Sequence, residues 1–366
     1  MKLKFFLIGL VLFAVILKGC RKDPEAFGEE NDGKYQTTPY VFDQNPAYPP
    51  FRLPVDNPLT EEGVMLGRML FHDPILSVDS TISCASCHKQ NKGFTDGLKL
   101  SKGVQNQIGT RNSMPLYNLM WHNRLFWDGR ALSIRQQVLG PIQAHNEMNM
   151  NLFDLMKRLE ASPRYKTPFK KAFNADHITP ELLSKGLEQF LITMLSFNAP
   201  IDKLKGRTDT LNVISESARR GLQLFMQPVE NGGADCFHCH SNVPFFGNTS
   251  ISGSMSNNGL DVAFADKGFG NVTGLETDNG KFRVPSLRNV EFTAPYMHDG
   301  RFDNLEEVLD FYSGDIKLTS PNLDINILAH GKQLNLSGQQ KQDIIEFLKT
   351  LSDTQFINDP KFRSPF

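Results

Sequence analysis

Two pentapeptides hold the residues best suited to chemistry. Cys84-Ala85-Ser86-Cys87-His88 and Cys236-Phe237-His238-Cys239-His240 are both C-x-x-C-H, and they lie 152 residues apart in a chain of 366. On one helical turn, thiols at i and i+3 share a face, where they can add to the two vinyl groups of a haem. The next residue, His88 or His240, then lies under the iron as its axial ligand. With five Cys and nine His in the whole chain, one chance match is rare and a second rarer still. Paired zinc sites are the competing reading, but zinc needs further ligands at regular spacing, and none follow. His238 is a spacer with no ligand role.

The fifth cysteine, Cys20, closes an N-terminal leader. Lys2 and Lys4 precede an unbroken apolar run, Phe5 to Leu17, too short for a comfortable membrane span and suited to an export signal. The run ends in Leu17-Lys18-Gly19-Cys20, which resembles a bacterial lipobox apart from Lys18. Residues 1–20 therefore read as a signal peptide, with either lipidation of Cys20 or plain cleavage elsewhere. Both outcomes put the mature protein outside the cytoplasm, with the periplasm expected and the membrane reached only through a lipid anchor. The other four cysteines all sit in the two motifs, so none is left for a structural disulfide, although exported cysteines normally pair. A net charge of -1 gives no reason to expect nucleic acid as a partner.

The elements that must position these motifs are mostly helical. Residues 21–54 are polar and then Pro-rich, and read as a tether. Thr60 can cap a helix carrying Val64, Met65, Met69 and Leu70. Thr179-Pro180-Glu181 starts a helix whose apolar pattern runs to about Phe197. Ser215-Glu216 opens another through Met226. Asp303 with Glu306 makes a capping box before Leu305, Val308, Leu309 and Tyr312, with Gly314 as the stop. Ser337 with Gln340 starts a last helix bearing Ile344, Ile345, Leu348 and Leu351. Alternating strand patterns of useful length are absent, and long loops carry the motifs.

The residues around the motifs resemble the bacterial di-haem cytochrome c peroxidase family, which includes the MauG-type enzymes. The matching stretches are LGRMLFHDPILS (66–77), TISCASCH (81–88), GTRNSMPLYN (109–118), LFWDGRA (125–131), Glu147-Met148, FRVPSLRNVEFTAPYMHDGRF (282–302) and LEEVLDFYSGD (305–315). The resemblance implies a mostly α fold of two cytochrome c-like haem domains with the haems facing one interface. Their expected bounds are 55–205 for the peroxidatic domain and 206–366 for the electron-transfer domain, the last helix packing back on the first.

Several roles follow from the resemblance. Trp127 matches a tryptophan between the haems, a natural electron relay. Glu147 matches an acid above the first haem, able to accept a proton from peroxide and return it to the departing oxygen. Gln137 and Pro141 match neighbouring positions of that pocket. Asn112, Thr293 and Pro295 match an interdomain calcium site whose oxygens suit a hard cation. His298 is expected beside the second haem without ligating it.

Two departures from the peroxidase pattern bear on function. Many such peroxidases block the first iron with a His, and the matching position here is Val104, which cannot ligate. His122 and His145 are the nearest histidines. At the second haem the usual Met ligand position is Tyr312, as in MauG-type proteins, with Met297 as the alternative ligand. A phenolate favours ferric iron and Met favours ferrous iron.

The leading function is reduction of hydrogen peroxide with electrons from a small redox donor such as a cytochrome c or cupredoxin. The second is MauG-type peroxide-dependent oxidation of a protein or organic substrate. The third is electron transfer without turnover.

Overall fold

Helix starts follow local side-chain chemistry. In the computed structural model, which describes residues 35–41, 48, 50, 52–204, 213–240, 255–330 and 333–366, Thr60 Oγ1 accepts the Gly63 N–H at 3.0 Å. That cap opens α1, Glu61–His72. Among the described residues the remaining α-helices are α2 (Cys84–Cys87), α3 (Ile134–Gln143), α4 (Leu152–Ala161), α5 (Lys166–Phe173), α6 (Pro180–Ile192), α7 (Glu216–Met226), α8 (Phe237–His240), α9 (Gly270–Thr273), α10 (Leu305–Asp310), α11 (Ile325–His330) and α12 (Gly338–Lys349). Thr179, Ser215 and Ser337 cap α6, α7 and α12 as expected, the last as a capping box with Gln340. Strand structure among the described residues is one antiparallel pair, β1 (Met255–Ser256) and β2 (Phe282–Arg283), with Met255 opposite Arg283. The signal segment and Cys20 lie outside the described residues.

Several expectations need correction. The buried face of α1 is Gly63, Leu66, Gly67, Leu70 and Phe71, while Met65 faces solvent. Helix α6 stops at Ile192, and the apolar run continues as buried irregular chain through Met194 and Ser196. The capping residue of α10 is Asn304, whose Oδ1 accepts from the Glu307 N–H at 2.9 Å. The box therefore sits one residue later than Asp303 and Glu306 suggested. Gly314 does not end that helix, because a π-turn continues over Phe311–Asp315. Part of the supposed tether is folded: the Tyr40 N–H donates to Leu59 O at 3.0 Å, and Tyr48 Oη donates to Asp202 Oδ1 at 3.0 Å.

Two helix crossings organise the unit formed by residues 36–366. Helix α1 crosses α6 where a Cβ on Gly67 would lie 2.0 Å from Gly186 O. Helix α7 crosses α12 where a Cβ on Gly221 would lie 1.9 Å from Asp343 O. Only glycine permits these approaches. A large apolar cluster surrounds the first crossing and includes Leu66, Leu70, Leu187 and Phe190. A second, with Phe225, Ile344, Phe347 and Leu348, surrounds the other. Helix α12 thus packs in its own lobe, and the segment after it makes the return to the first. There Phe356 and Phe362 join the first cluster, and Arg68 Nε donates to Arg363 O at 2.7 Å. None of the described helices is long and apolar enough to cross a membrane.

Candidate active site: two cavities sharing a wall

Each C-x-x-C-H motif folds as one helical turn facing a cavity. In α2 the His88 N–H donates to Cys84 O at 2.9 Å, and in α8 the His240 N–H donates to Cys236 O at 3.0 Å. The turn brings both thiols and the following imidazole to one side. Cys84, Cys87 and His88 line a first cavity of about 300 Å³, and Cys236, Cys239 and His240 line a second of about 250 Å³. The imidazole Nδ1 of His88 lies 2.9 Å from Phe94 O, and that of His240 lies 3.2 Å from Pro285 O. A carbonyl only accepts, so each Nδ1 carries the proton and each Nε2 keeps a free lone pair. Burial pulls His88 below its ordinary value and His240 down to about 4, keeping both neutral, as a metal ligand must be.

The four thiols are unpaired. Burial pushes Cys84, Cys236 and Cys239 up to about 12 and Cys87 to about 11, so they stand as thiols. Among the described residues no three His, Cys, Asp or Glu converge as a metal site. Thiols and a lone-pair imidazole beside a mostly apolar cavity fit a haem attached by two thioethers.

The first cavity gathers Glu147, Gln137, Pro141 and Arg130. Burial raises Glu147, opposed by the Arg130 charge. Gln137 and Pro141 come from α3, whose cap is Ser133. Val104 is buried but does not line the cavity; its N–H donates to Glu147 O at 2.8 Å. A Cβ on Gly103 would lie 2.2 Å from Asn146 O, so this loop is held against the segment bearing Glu147. Among the described lining residues His88 is the only histidine. His145 is exposed, and His122 is half-buried against Arg283 Nη1, 2.7 Å away.

The second cavity gathers Tyr312, Met297, His298 and Asn258. Asn258 Nδ2 donates to Tyr312 Oη at 3.0 Å and lies 3.7 Å from Met297 Sδ, so one amide faces both candidate ligands. Burial raises the Tyr312 phenol, and the Asn258 N–H opposes this. Tyr312 sits on the π-turn, a distortion frequent at functional sites. His298 stacks on Phe282 with centroids 3.7 Å apart. Asn112, Thr293 and Pro295 line this cavity as well; the Asn112 amide donates to Leu98 O at 2.9 Å, leaving its side-chain oxygen for another partner.

Both cavities touch Asn112, Ser113, Pro115, Trp127 and Arg283. Trp127 Nε1 donates to Asn112 O at 2.9 Å, which fixes the indole in this wall. The sequence reading passed over Asn258 and Arg283. Arg283 lies within the FRVPSLRN stretch and so was open to notice; Asn258 sits in a polar turn with no pattern to mark it.

Two C-x-x-C-H turns facing separate cavities, with a tryptophan in the wall between, define a di-haem c-type protein. The chain belongs to the di-haem cytochrome c peroxidase family, whose family model matches residues 61–210. It is 36% identical over 312 residues to the methylamine utilization protein MauG of Methylorubrum extorquens, covering 81% of this chain and 80% of that one. It is 33% identical over 302 residues to the cytochrome c551 peroxidase of Nitrosomonas europaea, covering 82% and 81%. The crystal structure of a MauG-like protein associated with microbial copper homeostasis superposes with a TM-score of 0.79 at 33% identity, covering 89% of this chain and 99% of that one. These relatives make the chain an oxidoreductase, and family membership implies two haem c groups.

Proposed function

We propose that this protein reduces hydrogen peroxide to water in the first cavity. The observation that carries the reading is Glu147 on the wall of the cavity that also holds Cys84, Cys87 and His88. The haem supplies the iron that binds peroxide and the electrons that split its O–O bond. Glu147 would take a proton from peroxide and return it to the departing oxygen, Gln137 would orient the peroxide by hydrogen bonding, and Pro141 would exclude water. His88 would hold the iron through Nε2, its ring fixed by the Phe94 carbonyl. Residues 55–205 form the peroxidatic half and 206–366 the electron-transfer half, with the haems facing the wall that contains Trp127. A small redox donor, such as a cytochrome c or cupredoxin, supplies electrons to the second half. Calcium at Asn112, Thr293 and Pro295 would tie the halves together. The leader implies export to the periplasm, with Cys20 as a lipid attachment point.

The test compares peroxide binding by the all-ferric and the half-reduced protein. His88 is the only histidine among the described lining residues, so the all-ferric form should bind peroxide directly. Reaction by the half-reduced form alone would overturn the open-site reading.

A second reading has its own observation, Tyr312 with Asn258 on the wall of the second cavity. An anionic oxygen ligand there would hold that iron ferric, which suits peroxide-dependent oxidation of a protein or organic substrate. Turnover with peroxide and a cytochrome c, against turnover with peroxide and reduced organic substrates alone, separates the two.

A further inference from the structure

Among the described residues, Arg283 is the one guanidinium that reaches both cavities. Its residue is only 6% exposed, and its N–H donates to the Trp127 carbonyl at 2.7 Å, so it is anchored to the wall the cavities share. The side chain has weak company. Nη1 donates to His122 Nδ1 at 2.7 Å, Nη2 lies 3.5 Å from Met114 Sδ, and Nε has no partner at all. Among the described residues it has no carboxylate. Nearby Arg111 shows the contrast, with Asp128 at 2.6 Å and Asp266 at 2.7 Å. A buried cation without an anion is costly, because the desolvation of the charge goes uncompensated. The surroundings register that cost: burial pulls Arg283 down to about 10. His122 gives no charge, since burial and the Arg283 charge hold it well below its ordinary value.

We infer that Arg283 binds propionate carboxylates of both haems, clamping the two cofactors together across the wall that Trp127 occupies. Each haem carries two such carboxylates, and a guanidinium offers five N–H donors in a fork that matches carboxylate geometry. At most two of those donors are engaged in the protein itself, and the idle Nε marks the place for an anion. The cation also lies in the wall between the two cavities, where it would favour the reduced state of a haem in either. This inference rests on the di-haem reading alone and is independent of whether peroxide is the substrate.

The experiment uses the full-length protein with both haems attached. Arg283→Met keeps the apolar stem and removes the charge; Arg283→Lys keeps the charge and removes the fork. Mass and haem stain establish two haems per chain, and spectroelectrochemical titration reads both potentials. In Arg283→Met the reduction equilibrium of at least one haem should shift about tenfold toward the ferric state, which for one electron is 59 mV. Arg283→Lys should recover half or more of that shift. Resonance Raman should show the propionate-bending bands displaced in both variants, because the fork is lost in each. Potentials within about threefold of wild type in Arg283→Met would overturn the inference. So would a shift of equal size in Arg283→Lys, which would make the effect one of packing rather than charge. If Arg283→Met does not accumulate with two haems, the Raman bands of Arg283→Lys decide, and unmoved bands overturn it.

Discussion

At the scale of single residues, proton handling and iron ligation depend on two side chains whose surroundings differ. Glu147 has one opposing influence, Arg130, against the burial that raises it. To accept a proton it must start as a carboxylate, so peroxidase turnover should fall as pH drops through its raised value. That acid limb should lie above the ordinary Glu range of ~4.3 and vanish in Glu147→Gln, which should retain both haems and lose roughly 100- to 10,000-fold in turnover. A loss below threefold would assign the proton to another group. For Tyr312, replacement of the phenol by Met should raise the potential of the second haem at least about tenfold in the reduction equilibrium, 59 mV for one electron. Spectroelectrochemistry of Tyr312→Met checks this, and an unchanged potential would make Met297 the ligand. Sequence brought Tyr312 to attention through its place in LEEVLDFYSGD. It could not supply Asn258, 54 positions earlier, because a lone amide in a turn acquires meaning only when folding brings it to the phenol.

At the scale of elements, the caps were largely legible, since a Ser or Thr before an apolar run bonds to the nearest N–H groups within its own few residues. The misplaced box at α10 has the same local origin. Asp303 and Asn304 are both able caps, and the choice fell to Asn304 because Glu307 answers both the Asp303 N–H and the Asn304 amide. The π-turn after it was invisible, because it depends on what Tyr312 packs against. The crossings at Gly67 and Gly221 were also hidden. Yet they show the duplication behind the two motifs, since each glycine lies on the helix preceding its C-x-x-C-H, 17 and 15 residues upstream. These sites give a prediction whose sign runs against helix propensity. Replacing a mid-helix Gly by Ala ordinarily stabilises by ~0.5–1 kcal/mol. Here the new Cβ would lie 2.0 or 1.9 Å from backbone oxygen, and forcing helices apart costs typically ~1–3 kcal/mol. Gly67→Ala and Gly221→Ala should therefore both lower the denaturant midpoint; an unchanged or higher midpoint in either would mean that its crossing yields easily.

At the scale of the whole molecule, the two lobes are joined by polar links of long sequence separation, which no local pattern announces. Arg111 of the first lobe binds Asp266 of the second, and Gln90 Nε2 donates to Asp359 O at 2.8 Å on the returning C-terminal segment. The most enclosed link is Arg288 with Asp202, a pair at 2.6 Å whose side chains are 0% and 4% exposed. Tyr48 bonds to both members, and Tyr117 Oη donates to the Arg288 carbonyl. One buried ion pair thus holds together chain from before the first helix, the first lobe, the connection at 200–204 and the segment leading to Tyr312. Sequence predicted a tether at Tyr48 because Pro-rich polar chain usually stays solvated, and the partner that overrides this, Asp202, lies 154 residues away. Burial decides what breaking the pair should cost. An exposed pair such as Lys170 with Asp176 contributes little, because solvent screens it, whereas Asp202→Asn leaves the Arg288 charge enclosed without its anion and should cost ~3–5 kcal/mol. In chemical denaturation of the holoprotein, Asp202→Asn should lower stability by that amount while Asp176→Asn leaves the midpoint close to wild type. If Trp127 relays electrons as proposed, Asp202→Asn, which loosens the segment that follows Arg283 in the shared wall, should also slow electron passage between the haems, read as the rate of internal equilibration after flash reduction of one of them. Lost stability with an unchanged transfer rate would show that the wall around Trp127 holds its geometry without this link.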